Sequence, residues 1–181
     1  MPDSETGKIP DLESIAHRLA IQDVLFKHSR GVDRADAEIL KGAYWPEAEV
    51  AYGAFNGNAH QFCEALAAGI RRYRLTHHQV SNISIDLNGR DALVESYVTA
   101  YHHRPADADT EMTYFGRYID RMQQRDDVWK IIFRQVVMDW NQNLEETSDF
   151  SGATFEGLAK SSHKPDDPLY EAQNKFFGDS V

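Results

Sequence analysis

Cysteine is nearly missing from this chain: Cys63 is the single one among 181 residues. No internal disulfide can form, so the fold does not depend on an oxidising compartment. Long hydrophobic runs are missing too, and nothing approaches the roughly 20 apolar residues a bilayer-spanning helix needs. The start, Met-Pro-Asp-Ser-Glu-Thr-Gly-Lys, is polar and lacks the apolar centre of a signal peptide. A cytoplasmic location without a membrane partner is therefore expected. Positive charge is scarce, with 19 Lys+Arg against 29 Asp+Glu for a net charge of −10. Apart from Arg71-Arg72-Tyr73-Arg74 there is no basic cluster, which argues against nucleic acid as a partner. The glycines never form a phosphate-cradling loop after a strand, and no serine or cysteine stands in an elbow-like context.

What is present is the profile of an ordinary globular domain, 41% hydrophobic and 27% charged. Residues 1–10 read as a flexible lead ending at Pro10. Leu12, Ile15, Leu19, Val24 and Leu25 then form a helical stripe over about 11–30, with Asp11 or Ser14 to cap it and Gly31 to end it. Residues 32–36 turn the chain into a short second helix from Ala37 to Tyr44. A strand follows from Glu49 to Phe55, then a third helix from Ala59 to Tyr73 with Phe62, Leu66 and Ile70 on one face. Cys63 shares that side and reads as core. Four strands close the pattern. The first runs through Leu75 to Asp86, alternating from Val80, and reaches Asn88-Gly89; the others are Ala92 to His103, Thr113 to Gln123 and Val128 to Trp140. Arg104 to Asp109 is a polar loop, and Arg125-Asp126-Asp127 a turn. This order predicts an α+β domain over 11–142, a cone-shaped, mainly antiparallel sheet curved around three N-terminal helices with a ligand cavity inside. Residues 143–181 form a tail whose Phe150, Phe155, Leu158, Tyr170, Phe176 and Phe177 are expected to dock on the domain or on a neighbouring subunit, as a lid or a contact.

The eight histidines draw attention to the strand at Leu75. Adjacent residues of a strand face opposite ways, so His77 and His78 separate. His78 shares its parity with Val80 and Asn82. Its ring is either a satisfied core imidazole or, if a carboxylate orients it in an apolar cavity, a base that titrates near neutrality. Asp33, at the end of the first helix, is such a carboxylate or else a cap for the second helix, which Asp36 could supply equally well. Tyr52, Tyr101, Tyr114 and Tyr118 on predicted strands offer phenolic donors, or simply pack. A metal could draw on one ring of each pair, His77-His78 and His102-His103, with Asp33. No helical His-x-x-x-His spacing supports this, and no metal is expected.

The order of a helix, Gly31-Val32-Asp33-Arg34, Trp45, Thr76-His77-His78-Gln79-Val80-Ser81-Asn82, Asn88-Gly89, Asp127-Val128-Trp129-Lys130 and Asp139-Trp140 resembles the SnoaL-like branch of the nuclear transport factor 2-like superfamily over about 11–142. Within it the chain is similar to scytalone dehydratase, bile acid 7α-dehydratase and hexachlorocyclohexane dehydrochlorinase. The resemblance implies a cofactor-free lyase, dehydratase-like, acting on a small cyclic or aromatic hydroxylated compound. Asp33 and His78 would be its catalytic pair, and Tyr52, His103 and Tyr118 would bind substrate or leaving group. Val32 stands where scytalone dehydratase has a second tyrosine, which points to a different ligand. Arg134 has no counterpart there and would bind an acidic substrate group or pair with a surface carboxylate. The resemblance also implies a homo-oligomer, a trimer. A cyclase or isomerase, a dehydrohalogenating or formaldehyde-releasing lyase, and a noncatalytic small subunit of a ring-hydroxylating dioxygenase are the alternatives.

Overall fold

The computed structural model describes residues 7–104, 110–149 and 151–178. Most of the expected 104–109 loop, Phe150 and the first six residues of the lead lie outside them. Helix α1 spans Leu12–Asp33, α2 Ala37–Gly42 and α3 Ala59–Ile70. The strands are β1 Tyr44–Tyr52, β2 Phe55–Asn58, β3 Leu75–Asn88, β4 Asp91–His103, β5 Thr110–Arg125 and β6 Val128–Glu145. They form one six-stranded sheet in the order β2-β1-β6-β5-β4-β3. All pairings are antiparallel except β1 with β6, which is parallel because α3 and the β3–β5 meander intervene between the two. Helices and curved sheet together make the expected α+β fold.

Local chemistry accounts for the boundaries. Asp11 caps α1 by accepting from the Ser14 amide at 2.7 Å, and Asn58 caps α3 through the amides of His60 and Gln61. Gly31 does not end α1. The helix runs on to Asp33, and a Cβ at Gly31 would stand 3.0–3.1 Å from Leu40 and Ile39, so this glycine lets α2 approach closely. The apolar stripe on α1 is also displaced from its expected course. Ile21, Leu25, His28 and Val32 are buried, whereas Leu12 and Leu19 stay open because the first turns meet the sheet through polar links. These are Arg18 Nη1 donating to the Ile85 carbonyl and Trp129 Nε1 donating to His17 Nδ1. The core gathers Ile21, Leu25, Leu40 and Tyr44 with Phe62, Cys63, Val94, Met122 and Ile131 between helices and sheet.

The tail adds α4, Ala153–Glu156, and α5, Pro168–Phe177. The phenylalanines among its described residues do not anchor it: Phe155, Phe176 and Phe177 remain exposed. Polar contacts anchor it to the turn after α1 instead. The Lys164 amide donates to the Arg34 carbonyl at 2.8 Å, Arg34 pairs with Asp167, Lys164 pairs with Asp36, and Tyr170 Oη donates to Asp36 at 2.8 Å. The tail is thus a strap on its own domain. Among the described residues no helix is long and apolar enough to cross a membrane.

Candidate active site

Asp33 is the last residue of α1, and its carboxylate turns toward the first residues of β3. It accepts from Thr76 Oγ1 at 3.0 Å, from the His78 amide at 3.0–3.1 Å, and contacts His78 Nδ1 at 2.7 Å. Asp36 takes over the cap of α2, accepting from the amides of Glu38 and Ile39, so Asp33 has no part in it. An ionised carboxylate only accepts, which assigns the His78 proton to Nδ1 and leaves Nε2 with its lone pair. Both side chains are nearly closed to solvent, at 6% exposure for His78 and 11% for Asp33. Their attraction is correspondingly little screened.

The ring of His78 lines a cavity of about 370 Å³ inside the cone. Val32, Phe62, Leu66, Ile70 and Met112 supply its apolar wall, while Tyr52, Tyr114 and Tyr118 bring phenols and His28 and His102 bring two further imidazoles. Tyr52 packs against Phe62 at 4.8 Å between centroids. Burial raises the Tyr52 hydroxyl above its ordinary value, which keeps it a donor. Tyr114 donates to the Val137 carbonyl at 2.7 Å. That close fold of the strand requires Gly116, since a Cβ there would fall 2.2 Å from the Tyr114 hydroxyl and 2.3 Å from the Val137 carbonyl.

Of the residues expected at the site, the structure brings Asp33, His78, Tyr52 and Tyr118 together and leaves two outside. His103 faces away from the cavity, between Glu111 and Glu146, with Ser148 at 3.0 Å from its Nε2. Strand parity explains this: on β4 the buried face carries Ala92, Val94, Ser96, Val98 and Ala100, and the next even position is His102. His102 accordingly lines the cavity, its ring 5.5 Å from that of His78. Burial and the neighbouring His78 lower its pKa to about 4, so it is neutral at physiological pH. Arg134 is not a cavity residue either. It is 1% exposed, holds the buried Asp120 through two contacts of 2.6 and 2.7 Å, and lies 4.0 Å beneath the ring of Tyr118. Its partner is a buried carboxylate rather than a surface one. Burial alone would lower its pKa, but the charge of Asp120 outweighs this and holds it above the usual range.

His28 escaped the sequence reading. It lies in α1 four residues before Val32 and seven after Ile21, so the helical period that buries those residues could have found it. Its ring is 3% exposed and stands edge-on to Tyr44 and Tyr118 at 5.7 and 5.9 Å. Neither nitrogen has a hydrogen-bond partner among the described residues, although both are buried. Burial, with Arg134 and His78 nearby, drives its pKa well below the usual histidine value. Among the described residues, His103, Glu111 and Glu146 could together hold a metal ion, but they lie on the sheet face opposite the cavity.

Comparisons with known proteins agree with this architecture. Residues 13–135 match the model of the SnoaL-like domain family. A candidate scytalone dehydratase from Novosphingobium aromaticivorans is 24% identical, with 75% of this chain and 92% of that one covered, at a TM-score of 0.66. The type 3 hexachlorocyclohexane dehydrochlorinase LinA from Novosphingobium barchaimii is 20% identical over 79% and 100% of the two chains, at 0.69. A Nostoc punctiforme protein of unknown function with a cystatin-like fold is 18% identical over 67% and 90%, at 0.56. At these identities the likeness is one of fold. No curated protein matches the sequence.

Proposed function

Because the chain belongs to the SnoaL-like domain family, we propose that it is a cofactor-independent lyase that eliminates water from a small cyclic or aromatic hydroxylated compound. The observation that carries this reading is the 2.7 Å contact between His78 Nδ1 and Asp33 Oδ1 at the wall of a mostly apolar cavity. His78 Nε2 takes a proton from the carbon next to the one that bears the hydroxyl. The electrons of that C–H bond form the new double bond as the C–O bond breaks, and the hydroxyl departs as water with a proton returned from the site. Asp33 stabilises the imidazolium that forms. Tyr52 and Tyr118 donate to the leaving oxygen. His28, whose ring nitrogens have no hydrogen-bond partner among the described residues, binds a second oxygen of the substrate. His102 takes the place that the resemblance assigned to His103. Arg134 supports Tyr118 from below.

The test is turnover on a panel of hydroxylated one- and two-ring compounds. His78→Ala and Asp33→Asn are each expected to lower kcat by about 10²–10⁴-fold, the range of a general base, with circular dichroism unchanged. Full turnover by either variant refutes the mechanism. A dehydrohalogenation uses the same base, and the likeness to a dehydrochlorinase supports keeping it as the second reading. Halide leaves without a proton, so Tyr52→Phe would spare that reaction and slow the dehydration.

We further propose that the protein is a homotrimer built on the outer face of the sheet. There Tyr97, Tyr101 and Trp140 are 44–53% exposed, and Phe115 stacks on Trp140 at 4.7 Å. Light scattering is expected to return three times the chain mass, and a monomer mass would refute the assembly.

A further inference from the structure

The turn between α3 and β3 has two linings. Arg72 and Tyr73 border the Asp33–His78 cavity, whereas Arg71 and Arg74 border a second cleft of about 680 Å³ that the strap closes from the other side. The two spaces share no lining residue. Arg71, Arg74, Lys160 and Lys164 look into this cleft against Asp149 and Asp166, a positive balance in a chain of net charge −10.

Two of these cations are engaged in ways that leave their charge in place. Arg71 Nη2 donates to the carbonyls of Ala35 and Lys164 at 3.3 and 3.1 Å, and Lys160 Nζ donates to the carbonyl of Phe155. Neither has a carboxylate partner among the described residues. Lys164 pairs with Asp36, outside the lining. Beside them His163 Nε2 is buried with no hydrogen-bond partner among the described residues. Burial and the charges of Arg71 and Arg34 lower the His163 pKa, so the ring adds a polar group and no charge. Ser161 and Ser162 complete the polar part of the lining, and Phe155 and Leu158, 48% and 61% exposed, give it an apolar part. A merely solvated patch of charge would not need a concave cleft of larger volume than the Asp33–His78 cavity, nor two bulky apolar residues in its lining.

We propose that this cleft binds a small amphiphilic organic anion, its carboxylate, sulfonate or phosphate between Arg71 and Lys160 and its apolar body on Phe155 and Leu158. The ligand would touch the strap on one side and the wall of the cavity on the other, yet its binding is independent of the proposed elimination.

The probe is 8-anilinonaphthalene-1-sulfonate, titrated calorimetrically into the intact chain. Saturable one-site binding is expected, weakened at least about tenfold, or roughly 1.4 kcal/mol, by Lys160→Glu and by Phe155→Asp. Both positions are exposed, and circular dichroism will establish that the variants stay folded. Sodium chloride at about 1 M, which shortens the screening length to about 3 Å, is expected to weaken it too. Inorganic phosphate alone is expected to bind far more weakly. Several results would overturn the proposal: no saturable binding, binding indifferent to Lys160→Glu, binding sensitive to Tyr52→Phe instead, or phosphate binding as tightly as the aromatic sulfonate. The third of these would put the probe in the catalytic cavity.

Discussion

Single residues in this protein are held by a few strong contacts, and the plainest case is the buried pair Arg134–Asp120. Both side chains are closed to solvent and joined at 2.6 and 2.7 Å. Removing one partner strands a charge in the interior, whereas removing both leaves only a packing change. Arg134→Leu alone is expected to lower the unfolding free energy by about 3–5 kcal/mol, a large share of the ~5–15 kcal/mol typical of a domain. The double variant Arg134→Leu, Asp120→Leu is expected to recover much of that loss. Urea midpoints for the three proteins decide the point. The same logic separates Asp33 from Asp36. Two carboxylates three positions apart have different work, because one meets an imidazole and two further donors while the other meets the free amides of a helix start.

At the scale of elements, β3 is the instructive case. Its inward face is even-numbered at Thr76, His78 and Val80 but odd-numbered at Ile83, Ile85 and Leu87. The switch occurs at Asn82, which has φ +46°, is exposed and sits in the register shift between Ser81 and Ser84. The expectation that Asn82 shares the face of His78 fails for this reason. Without the extra residue, a face carrying Ile85 and Leu87 inward would turn His78 outward. A β-branched side chain is costly at positive φ, so Asn82→Val is expected to destabilise the protein by about 1–2 kcal/mol, while Asn82→Gly stays within about 0.5 kcal/mol of the wild type. Thermal denaturation of the two variants measures this.

Much of the architecture was legible because most elements carry their period undisturbed. The alternation of β4 and the spacing of Phe62, Cys63 and Ile70 on α3 are local signals. Asp33 and His78 could be paired from sequence only through a resemblance, since 45 positions separate them. Bulges are not local signals. An extra residue on β3, or the shifts at Phe115/Gly116 and Arg121/Met122 on β5, depends on pairing with a distant strand. The parallel β1–β6 contact and the buried carboxylate of Asp120 that meets Arg134 are hidden for the same reason. Alignment to a relative points to His103 instead of His102 because it does not carry parity, and a slip of one residue reverses the face.

For the whole molecule, buried neutral imidazoles set the response to acid. The folded pKa of His102 is lowered to about 4 by burial and then by His78, against an ordinary value of 6.5. The unfolded chain therefore takes up a proton first as pH falls. Stability is complete above about pH 7 and is lost from about 6.5 down to about 4, by roughly 3 kcal/mol for this group. His28, held well below the ordinary histidine value by burial, acts in the same direction. Denaturation midpoints measured between pH 8 and 4 should fall, and His102→Gln should flatten the fall without abolishing it. A profile with no decline across that window would contradict the burial of these rings.

The strap ties this balance to the order in which the chain is made. Tyr170 and Asp36 are joined across 134 positions, and Lys164 reaches back to the residue that follows Asp33. A ribosome releases α1, the sheet and every cavity residue before it releases these anchors. The nascent protein thus carries every residue of the cavity while the turn behind Asp33 still lacks its last clasps, and completion of that turn is a C-terminal event.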